Sequence, residues 1–593
     1  MCGIAGDLKF DGKPADPLVL DRMAEVMVPR GPDGGGLVLR GAAGLAHRRL
    51  KIIDLSEAGR QPMEDAELGL TLAFNGCIYN HRELRSELEG KGYRFFSTSD
   101  TEVILKAYHA WGPRCVERFN GMFAFAITER DSGKTVLARD RMGIKPLYLA
   151  DTEGGLRFAS SLPALLASGG IDRTISPVAL HHYFSFHAVV PAPHTLFTGI
   201  RKLPPATLLE IAPDGRQKQE QYWFPDYDPR PEEASLSAED WRHRVEAELK
   251  AAVRRRLVAD VPVGVLLSGG LDSSLIVGLL AEAGAKDLNT FSIGFETVGE
   301  EKGDEFEYSD IVAEHFGTIH HKIPVETGRA LPALERAIAA MSEPMTSHDC
   351  VGFFLLSEEV SKHVKVVQSG QGADEIFAGY HWYPPMEGAN DPLETYRKAF
   401  FDRDQVEMAK LIPAGILADD PSTDFVRDHF NLKGAAAPVD KALRIDSHIM
   451  LVDDPVKRVD NMTMAHGLEA RVPFLDHELV EVAARCPADL KMAEGGKGIL
   501  KTIARDHIPH AVIDRPKGYF PMPALKYLRG PYLDMVRDAV NSQGFTGRGL
   551  VQPGYVDTLL DDPEGHITPL RGSKLWQIGV LALWLEQHDR MAA

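Results

Sequence analysis

The pattern of apolar and polar positions changes along the chain, and its first part is dominated by strands. Residues 1–215 contain short β-type runs such as TVLARD (135–140), separated by turn residues. The stretch GMFAFAITERDSGKTVLARD predicts a hairpin that turns at 131–133. Helical spacing of apolar residues interrupts the strands at 82–92 and 101–112. This mixture predicts a layered domain built from both strands and helices.

In the second part, short apolar runs alternate with helical patterns. VPVGVLL (261–267) and TFSIGF (290–295) predict strands, and KVVQSG (365–370) predicts a strand that runs into a loop. Helices are predicted at 272–284 and 309–317, and about 150 residues at the carboxyl end have mainly helical patterns. Strands that alternate with helices are typical of a parallel, doubly wound sheet.

A segment of different composition separates the two parts. EQYWFPDYDPRPEEASLSAE is rich in proline, charged and small polar residues, which is typical of a linker. We therefore predict one domain at 1–218, a linker at 219–238 and a second, larger domain at 239–593. No internal repeat or low-complexity tract is evident.

Charge and cysteine content narrow the class of protein. The chain has 593 residues and a net charge of −19, which argues against nucleic acid as a partner. Its five cysteines contain no CxxC pair, so neither a disulfide framework nor a structural zinc site is expected. The amino terminus lacks the pattern of a signal peptide, and no apolar run approaches the roughly 18 residues of a membrane span. We expect a soluble, cytoplasmic protein with no membrane partner.

One cysteine has an unusual position. Cys2 follows Met1 directly, so removal of the methionine would put a thiol and an α-amino group on the same residue. An α-amino group has an ordinary pKa of about 7.7–8.0 and can serve as the base that activates the thiol. The alternative is that Cys2 is an ordinary terminal residue without a chemical role.

Three further features suit attack by Cys2 on a carboxamide. The dipeptide Asn75-Gly76 offers an amide group and a backbone N–H that could stabilise an oxyanion. Arg49 could bind an α-carboxylate through two hydrogen bonds, and Asp100 could hold an α-ammonium group. Each feature also has a purely structural interpretation: a turn, a surface arginine, and a cap of the helix that begins at Thr101.

Seven short motifs of the first domain resemble those of a known family. MCGIAG, RGPD, LAHRRLKIIDL, FNGCIYN, SDTE, GMFAFA and ARDRMGIKPLYL look like the glutaminase domain of the glutamine-dependent asparagine synthetase family. The resemblance implies an N-terminal-nucleophile αββα sandwich that hydrolyses glutamine to glutamate and ammonia. It implies that Cys2 is the nucleophile and that Asn75 and Gly76 form the oxyanion hole. The implied glutamine-binding residues are Arg49, Leu50, Lys51, Ile52, Ile53, Asn75, Gly76 and Asp100. One position departs from the family, which has Glu where this chain has Cys77.

The second domain contains a Gly- and Ser-rich turn between a predicted strand and a predicted helix, VLLSGGLDSSLI (265–276). Backbone N–H groups and the hydroxyls of Ser268, Ser273 and Ser274 can bind phosphate oxygens there. Asp272 could bind a Mg²⁺ ion that bridges phosphates. The chain lacks the GxxxxGK[ST] pattern, so this is not a Walker-type loop.

The same turn resembles the pyrophosphate loop of enzymes that adenylate a substrate. FSIGF, SGQGADEIFAGY, GLEARVPFLD and DRPKGYFP follow it in the order of the carboxyl-terminal domain of asparagine synthetases, which is a doubly wound ATP-pyrophosphatase domain with a helical end. The resemblance implies ATP and Mg²⁺ as cofactors, with Asp272 and Asp374 as metal ligands. It implies that Lys517 stabilises charge on the α-phosphate. The implied ATP-binding residues are Leu267, Ser268, Gly269, Gly270, Asp272, Ser273, Ser274, Ile293, Ser369 and Gly370.

A second departure concerns the molecule that is amidated. Asparagine synthetases have Glu at the acceptor side of the SGEG motif, and this chain has the neutral Gln371. A neutral amide cannot pair with the ammonium group of free aspartate, so we expect an acceptor whose amine is blocked.

Five longer strings resemble the branch of the family that amidates N-acetylglutaminylglutamine, an osmoprotectant precursor. They are FSFHAVVPAPHTL (184–196), SEPMTSHDC (342–350), ADEIFAGYHWYPP (373–385), DPVKRVDNMTMAHGLEARVPFLD (454–476) and TPLRGSKLWQ (568–577). The expected partners are thus glutamine, ATP and an N-blocked dipeptide carboxylate. Alternatives are asparagine synthesis, amidation of a cell-surface sugar or lasso-type peptide, and a sensor with inactive sites. The sequence leaves open whether the chain forms a homodimer.

Overall fold

The amino-terminal half is a sandwich of two antiparallel sheets with helices on both outer faces. The computed structural model describes residues 2–296, 303–515 and 528–592. Strands β1 to β12 are Gly3–Lys9, Gly34–Arg40, Ala43–Arg49, Met63–Asp65, Leu70–Ile78, Gly121–Glu129, Thr135–Arg139, Tyr148–Thr152, Gly155–Ala159, Ile200–Lys202, Thr207–Ile211 and Gln217–Gln221. Helices α1 to α5 are Pro17–Val26, His81–Gly90, Asp100–Trp111, Leu162–Ala167 and Pro177–Ser185.

The two sheets pack through one face of each. One sheet has the strand order β10-β8-β9-β1-β3-β2 and the other β12-β11-β7-β6-β5-β4. Alternate residues of each strand point to the same face, so apolar side chains such as Ile4, Ala73, Leu137 and Phe158 fill the space between the sheets. Helices α2 and α3 cover the outer face of the second sheet, and α1 and α4 cover that of the first. The predicted αββα sandwich is confirmed.

The carboxyl-terminal half is built around one parallel sheet. Strands β13 to β17 are Val263–Leu266, Asn289–Phe295, Ile319–Val325, Val366–Gln368 and Glu469–Arg471. Helices α6 to α24 are Ala238–Arg255, Leu271–Glu282, Phe306–Phe316, Thr327–Ala340, Asp349–Val360, Ala373–Ile376, Pro392–Phe400, Gln405–Leu411, Pro421–Asn431, Pro438–Ile445, Lys457–Met464, His477–Arg485, Ala488–Met492, Gly498–Ala504, His510–Ile513, Pro531–Asn541, Gln543–Thr546, Pro553–Asp561 and Lys574–Ala592. Two π-helical turns, Asp446–Met450 and Val452–Val456, precede α16.

The order of the parallel strands determines where a ligand can bind. The order is β15-β14-β13-β16-β17, and every neighbouring pair is parallel. Connections from β13 proceed in one direction through β14 to β15, whereas β16 and β17 lie on the other side. The order therefore reverses between β13 and β16, and the loops at their carboxyl ends flank the crevice where open α/β sheets bind ligands. The predicted doubly wound sheet is confirmed, and the carboxyl end is mainly helical as predicted.

Buried ion pairs join the two halves. The Arg30 guanidinium lies 2.9 Å from Asp460 of α16, and the Lys145 ammonium lies 3.4 Å from the same carboxylate. Lys202 lies 2.9 Å from Glu343. The predicted linker 219–238 begins inside β12 and ends at the first residue of α6. Among the described residues, no helix has both the length and the apolar character needed to cross a membrane.

Candidate active sites

Cys2 directly precedes β1, in a narrow pocket between the sandwich and the parallel sheet. The residue is only 7% exposed. Burial raises the pKa of its thiol above the ordinary value. The thiol is therefore protonated at rest near neutral pH and needs a base before it can act as a nucleophile.

His47 is a histidine of the neighbouring strand β3, but its environment does not suit that base. Its imidazole is fully buried, and Nε2 lies 3.1 Å from the backbone oxygen of Phe74. Burial lowers the pKa of His47 to about 3, so the ring stays neutral and a poor proton acceptor near pH 7. The α-amino group that methionine removal would create on Cys2 remains the group best suited to take the thiol proton.

The dipeptide Asn75-Gly76 lies on β5 beside Cys2. The side-chain oxygen of Asn75 accepts a hydrogen bond of 3.0 Å from the backbone nitrogen of Cys2. This contact orients the other end of the amide: Asn75 Nδ2 is buried and has no hydrogen-bond partner among the described residues. A Cβ at Gly76 would lie 2.1 Å from the backbone oxygen of Met122, so only glycine fits there. Gly76 lines the pocket and Asn75 adjoins it through its contact with Cys2, an arrangement that is compatible with an oxyanion hole.

The two charged residues predicted to bind glutamine line the same pocket. Arg49 lies there with its guanidinium held by the backbone oxygens of Asp54 and Ser56. Asp100 also lines the pocket, and its carboxylate accepts a hydrogen bond of 3.0 Å from the Ile78 amide. Burial raises the pKa of Asp100. Ser99, not Asp100, caps helix α3, so the structural interpretation of Asp100 as a helix cap is wrong.

The remaining predicted residues of this pocket differ in their placement. Leu50, Ile52 and Ile53 line it. Lys51 does not: its amide donates to Asp33, and its ammonium group pairs with Glu57 at 2.8 Å. In the stretch that follows Arg49, Lys51 is therefore the one predicted residue whose side chain does not line the pocket.

Two pocket residues come from the other half of the chain, and sequence reasoning did not assign them a role. Glu469 and Arg471, on β17, form a buried ion pair of 2.5 Å and line the Cys2 pocket. Burial opposes the charged form of Glu469, but Arg471 and other nearby cations, Lys145 among them, together outweigh it and lower the pKa of Glu469 to about 2. Arg471 also donates to the Cys77 sulfur at 3.7 Å. The residue that departs from the family pattern thus contacts a cation supplied by the second half.

The Gly- and Ser-rich turn lies at the crevice between β13 and β16, as the strand order requires. The Ser268 and Ser273 hydroxyls lie 3.1 Å apart, and Gly269 has a left-handed φ of +70°. A Cβ at Gly370, after β16, would lie 2.9 Å from the Asp272 Cβ, so the two loops touch. Such a pair of loops at a helix start is a suitable phosphate site.

Most of the predicted nucleotide residues face one large cavity of about 810 Å³. The ones that line it are Leu267, Ser268, Gly270, Asp272, Ser273, Ile293, Ser369, Gly370, Gln371 and Asp374. Gly269 and Ser274 are not among its lining residues, and Ser274 is fully buried. The prediction that the Ser274 hydroxyl contacts phosphate is not supported by this placement. Lys517 lies outside the described residues.

Lys497 occupies the position between the two predicted metal ligands, and sequence reasoning missed it. Its ammonium lies 2.7 Å from Asp272 and 2.9 Å from Asp374. Burial alone would lower the pKa of Lys497, but the two carboxylates raise it. Lys497 has a left-handed φ of +57° and lies in the string GGKG, whose flanking glycines were the available signal.

The two carboxylates can serve a phosphate-bound magnesium ion but not a complete protein cage. No group of three or more His, Cys, Asp or Glu side chains suited to a metal occurs within the described ranges. Mg²⁺ at nucleotide sites commonly takes only one or two carboxylates and completes its shell with phosphates and water. Asp272 and Asp374 fit that donor set, provided that Lys497 gives up part of its present contact.

The cavity extends well past the nucleotide loops. Each of the five long strings that resemble the dipeptide-amidating branch contributes to its wall. String 184–196 contributes His187, and string 454–476 contributes Asp454 and Arg458. The other three strings contribute Thr346, Ser347, His348 and Asp349 (342–350), Asp374, Gly379, Tyr380, His381 and Trp382 (373–385), and Leu570, Arg571, Gly572, Ser573, Trp576 and Gln577 (568–577). Segments far apart in the sequence therefore converge on one binding space.

Comparisons with known proteins cover both halves. The model of the family described as Asparagine synthase matches residues 244–586, and that of the Glutamine amidotransferase domain matches 1–223. Glutamine-hydrolysing asparagine synthetase 1 of Bacillus subtilis is 30% identical, with 98% of this chain and 96% of that protein covered. Asparagine synthetase B of Escherichia coli is 30% identical over 88% of this chain and 82% of its own length.

Among solved structures, glutamine phosphoribosylpyrophosphate amidotransferase of Bacillus subtilis matches with a TM-score of 0.29 and 16% identity. The match covers 54% of this chain and 65% of that one. A likeness of this size adds nothing to what the family models indicate.

Proposed function

The chain belongs to the asparagine synthase family and is a glutamine-dependent, ATP-using amide ligase; from this premise we propose that its acceptor is N-acetylglutaminylglutamine. The proposed reaction converts the carboxyl-terminal carboxylate of that dipeptide into an amide. Glutamine supplies the nitrogen, and ATP is converted to AMP and pyrophosphate.

The glutaminase half-reaction uses the groups around Cys2. With Met1 removed, the α-amino group takes the thiol proton, and the sulfur attacks the side-chain carbonyl carbon of glutamine. Asn75 Nδ2 and the Gly76 N–H stabilise the oxygen that becomes negative. The protonated amino group returns its proton to the leaving nitrogen, ammonia departs, and water then hydrolyses the thioester to glutamate.

Arg49 and Asp100 would bind the two charged ends of the glutamine. The guanidinium of Arg49 is fixed by backbone oxygens, so it can present its remaining donors to the α-carboxylate. Asp100 can accept from the α-ammonium group. Because Cys77 replaces the family's Glu, Asp100 should carry more of this second contact.

The ligase half-reaction takes place at the nucleotide loops. A carboxylate oxygen of the acceptor attacks the α-phosphorus of ATP, pyrophosphate leaves, and ammonia then displaces AMP from the acyl carbon. Ser268, Ser273 and the loop N–H groups bind the phosphates. Mg²⁺, held by Asp272 and Asp374, would neutralise phosphate charge, and Lys517 is proposed to do so at the α-phosphate.

The observation that carries the choice of acceptor is the convergence of five distant strings on one cavity of about 810 Å³. The cavity holds the nucleotide under either candidate, and a capped dipeptide fills far more of the remaining space than aspartate does. Gln371 lines the same cavity, and a neutral amide there suits an acceptor without a free ammonium group. Both observations support an N-blocked, amide-rich acceptor.

Asparagine synthesis is the second candidate, because the relatives that match along most of the chain are named asparagine synthetases. Under that alternative the acceptor is free aspartate. The neutral Gln371 and the extent of the cavity count against it. We also propose a cytoplasmic location and leave a homodimer as a further proposal.

Steady-state kinetics with separate acceptors test the proposal. The purified chain is given ATP, Mg²⁺, glutamine and either N-acetylglutaminylglutamine, the unblocked dipeptide or aspartate, and products are identified by mass spectrometry. The proposal requires the highest kcat/KM with the blocked dipeptide, accompanied by AMP and pyrophosphate. A higher kcat/KM with aspartate would favour the second candidate, and ADP as the product would contradict the adenylation mechanism.

A further inference from the structure

A row of aromatic rings forms one wall of the large cavity. Tyr380 and Trp382 are stacked, with ring centroids 4.2 Å apart. Trp382 meets Phe400 edge to face at 5.7 Å, and Phe400 meets the His187 imidazole in the same manner at 5.9 Å. His187 therefore stands at one end of this wall and Tyr380 at the other.

The Tyr380 end adjoins the nucleotide site. The Tyr380 hydroxyl donates to Glu375 at 2.7 Å, and Glu375 follows Asp374 directly. The adjacent Gly379 donates its N–H to the Asp374 backbone oxygen at 2.8 Å. If the carboxylate of the acceptor reacts at the phosphates and the rest of the molecule lies along the aromatic rings, its acylated end would lie near His187.

His187 is held rigidly by buried polar groups. Its Nδ1 lies 3.1 and 3.0 Å from the two oxygens of Asp402, a residue that is 3% exposed. Asp402 also accepts a hydrogen bond from the Gln577 side chain. The contacts leave Nε2 of the ring to face the cavity that His187 lines.

The backbone at this position is strained. His187 and Ala188 both have left-handed conformations, with φ of +51° and +58°. Non-glycine residues in this region are uncommon, and such strain is often found where a side chain must be aimed. Two such residues in succession indicate that the fold tolerates an unfavourable backbone conformation in order to direct the His187 ring.

Charged groups around His187 shift the pKa of its imidazole. Burial opposes the charged ring, but the Asp402 carboxylate outweighs it and raises the pKa of His187. Asp454 and Arg458, from the π-helical turn and helix α16, have opposite effects on that pKa. Arg571 lies on the loop whose Gly572 approaches the ring: a Cβ at Gly572 would be 3.9 Å from His187 Cε1.

We propose that His187 is a specificity-determining residue of the acceptor site, and that its Nε2–H donates a hydrogen bond to a carbonyl oxygen at the acylated end of the acceptor. This inference rests on the proposed function and adds how the far end of the dipeptide is recognised. A cationic donor binds a neutral acyl or side-chain amide carbonyl well. The same cation repels the ammonium group of an unblocked amine. Asp402 is a positioning residue, because it binds the Nδ1–H of the protonated ring and so leaves Nε2–H as the donor that is free to bind the acceptor.

The test compares the wild type with His187→Ala and His187→Asn. Asparagine tolerates the left-handed backbone, so the second variant guards against loss of folding. His243→Ala, at an exposed histidine on α6, is the matched control. The expected result is a KM for N-acetylglutaminylglutamine raised about 10- to 100-fold in both His187 variants, the effect typical of losing a hydrogen bond to a charged group. The KM for ATP and the glutaminase rate should stay unchanged.

A pH profile separates this role from a structural one. In the wild type, the acceptor KM should rise as pH increases through the pKa of His187, because the neutral ring carries its only proton on Nδ1, toward Asp402. That limb should vanish in His187→Asn. An unchanged acceptor KM in folded variants would overturn the inference and leave the proposed function intact. A wild type that does not turn over the dipeptide would overturn both.

Discussion

The side-chain oxygen of Asn75 lies 3.0 Å from the backbone nitrogen of Cys2. This single contact joins the proposed nucleophile to one half of the proposed oxyanion hole. It also determines the direction of the amide, so the buried Nδ2 is the atom left to stabilise negative charge. The proposed catalytic geometry in the glutaminase half therefore depends on a contact between β5 and the residue that directly precedes β1, a strand of the opposite sheet.

Replacing Asn75 with Ala should slow glutamine hydrolysis by about 10²- to 10³-fold, the typical loss for one oxyanion donor. Amide formation from high concentrations of ammonium salt should continue at the wild-type rate, since the ligase site is untouched. Glutamate release and amide formation are both measured. Asn541→Ala removes a similar side chain from an exposed helix end and serves as the control. A glutaminase rate equal in the two variants would exclude Asn75 from the oxyanion hole.

The general architecture was accessible from the sequence because it depends on local patterns. The short β-type run at 135–140 became β7, and the Gly- and Ser-rich turn after 261–267 lies at the end of β13 as expected. The motifs named Cys2, Asn75, Arg49 and Asp100 as site residues, and the structure brings them together: Arg49 ends β3, Asp100 begins α3, and Asn75 lies inside β5 with its side chain against Cys2.

Contacts between the two halves could not be derived in this way. Glu469 belongs to a string that was recognised, yet nothing local indicates that its side chain reaches the Cys2 pocket 467 positions away. Lys497 was missed for the same reason, because the two carboxylates that it joins lie on α7 and α11. Pairing across such distances depends on tertiary packing, which periodicity does not encode.

Glu469→Gln should destabilise the protein at neutral pH by about 3–5 kcal/mol, because it leaves the buried Arg471 without its counter-charge. The pKa of Glu469 is lowered to about 2, so the carboxylate stabilises the fold above its ordinary pKa of 4.5. That contribution is lost as pH falls from about 4.5 toward 2. Melting temperatures of wild type and variant should therefore differ most above pH 5 and converge in acid.

Glu564→Gln provides the matched control for that experiment, because Glu564 pairs with Arg529 at the surface. Exposed pairs contribute little to stability, so its melting temperature should stay near the wild-type value at every pH. A difference between wild type and Glu469→Gln that does not change with pH would contradict the assigned ionisation of Glu469.

Lys497→Met should reduce ATP-dependent AMP formation by at least about 10²-fold, because it leaves Asp272 and Asp374 without the cation between them. With only the proposed Mg²⁺ ion left to offset them, the two carboxylates would repel the phosphates of ATP more strongly. Glutamine hydrolysis should be unaffected. Lys497→Arg should restore only part of the activity, since a planar guanidinium does not replace a compact ammonium. Lys398→Met, at an exposed lysine, is the control; equal AMP formation in both Met variants would refute the role.

Gln371→Glu should shift acceptor preference toward molecules with a free amine. A carboxylate in the cavity can pair with the ammonium group of aspartate, which the neutral amide cannot. We expect the ratio of kcat/KM for aspartate to that for N-acetylglutaminylglutamine to rise about tenfold, measured by mass spectrometry of both amides. The exposed Gln543→Glu should leave that ratio unchanged. A ratio that stays constant in Gln371→Glu would show that this position does not select the acceptor.

The most direct test of the account is one competition experiment. The wild type is incubated with ATP, Mg²⁺, glutamine labelled with ¹⁵N at the side-chain amide, and equal concentrations of N-acetylglutaminylglutamine and aspartate. Mass spectrometry should find ¹⁵N mainly in the terminal amide of the dipeptide, with one AMP formed per amide. Label found mainly in asparagine, or no labelled amide while glutamate accumulates, would contradict the account.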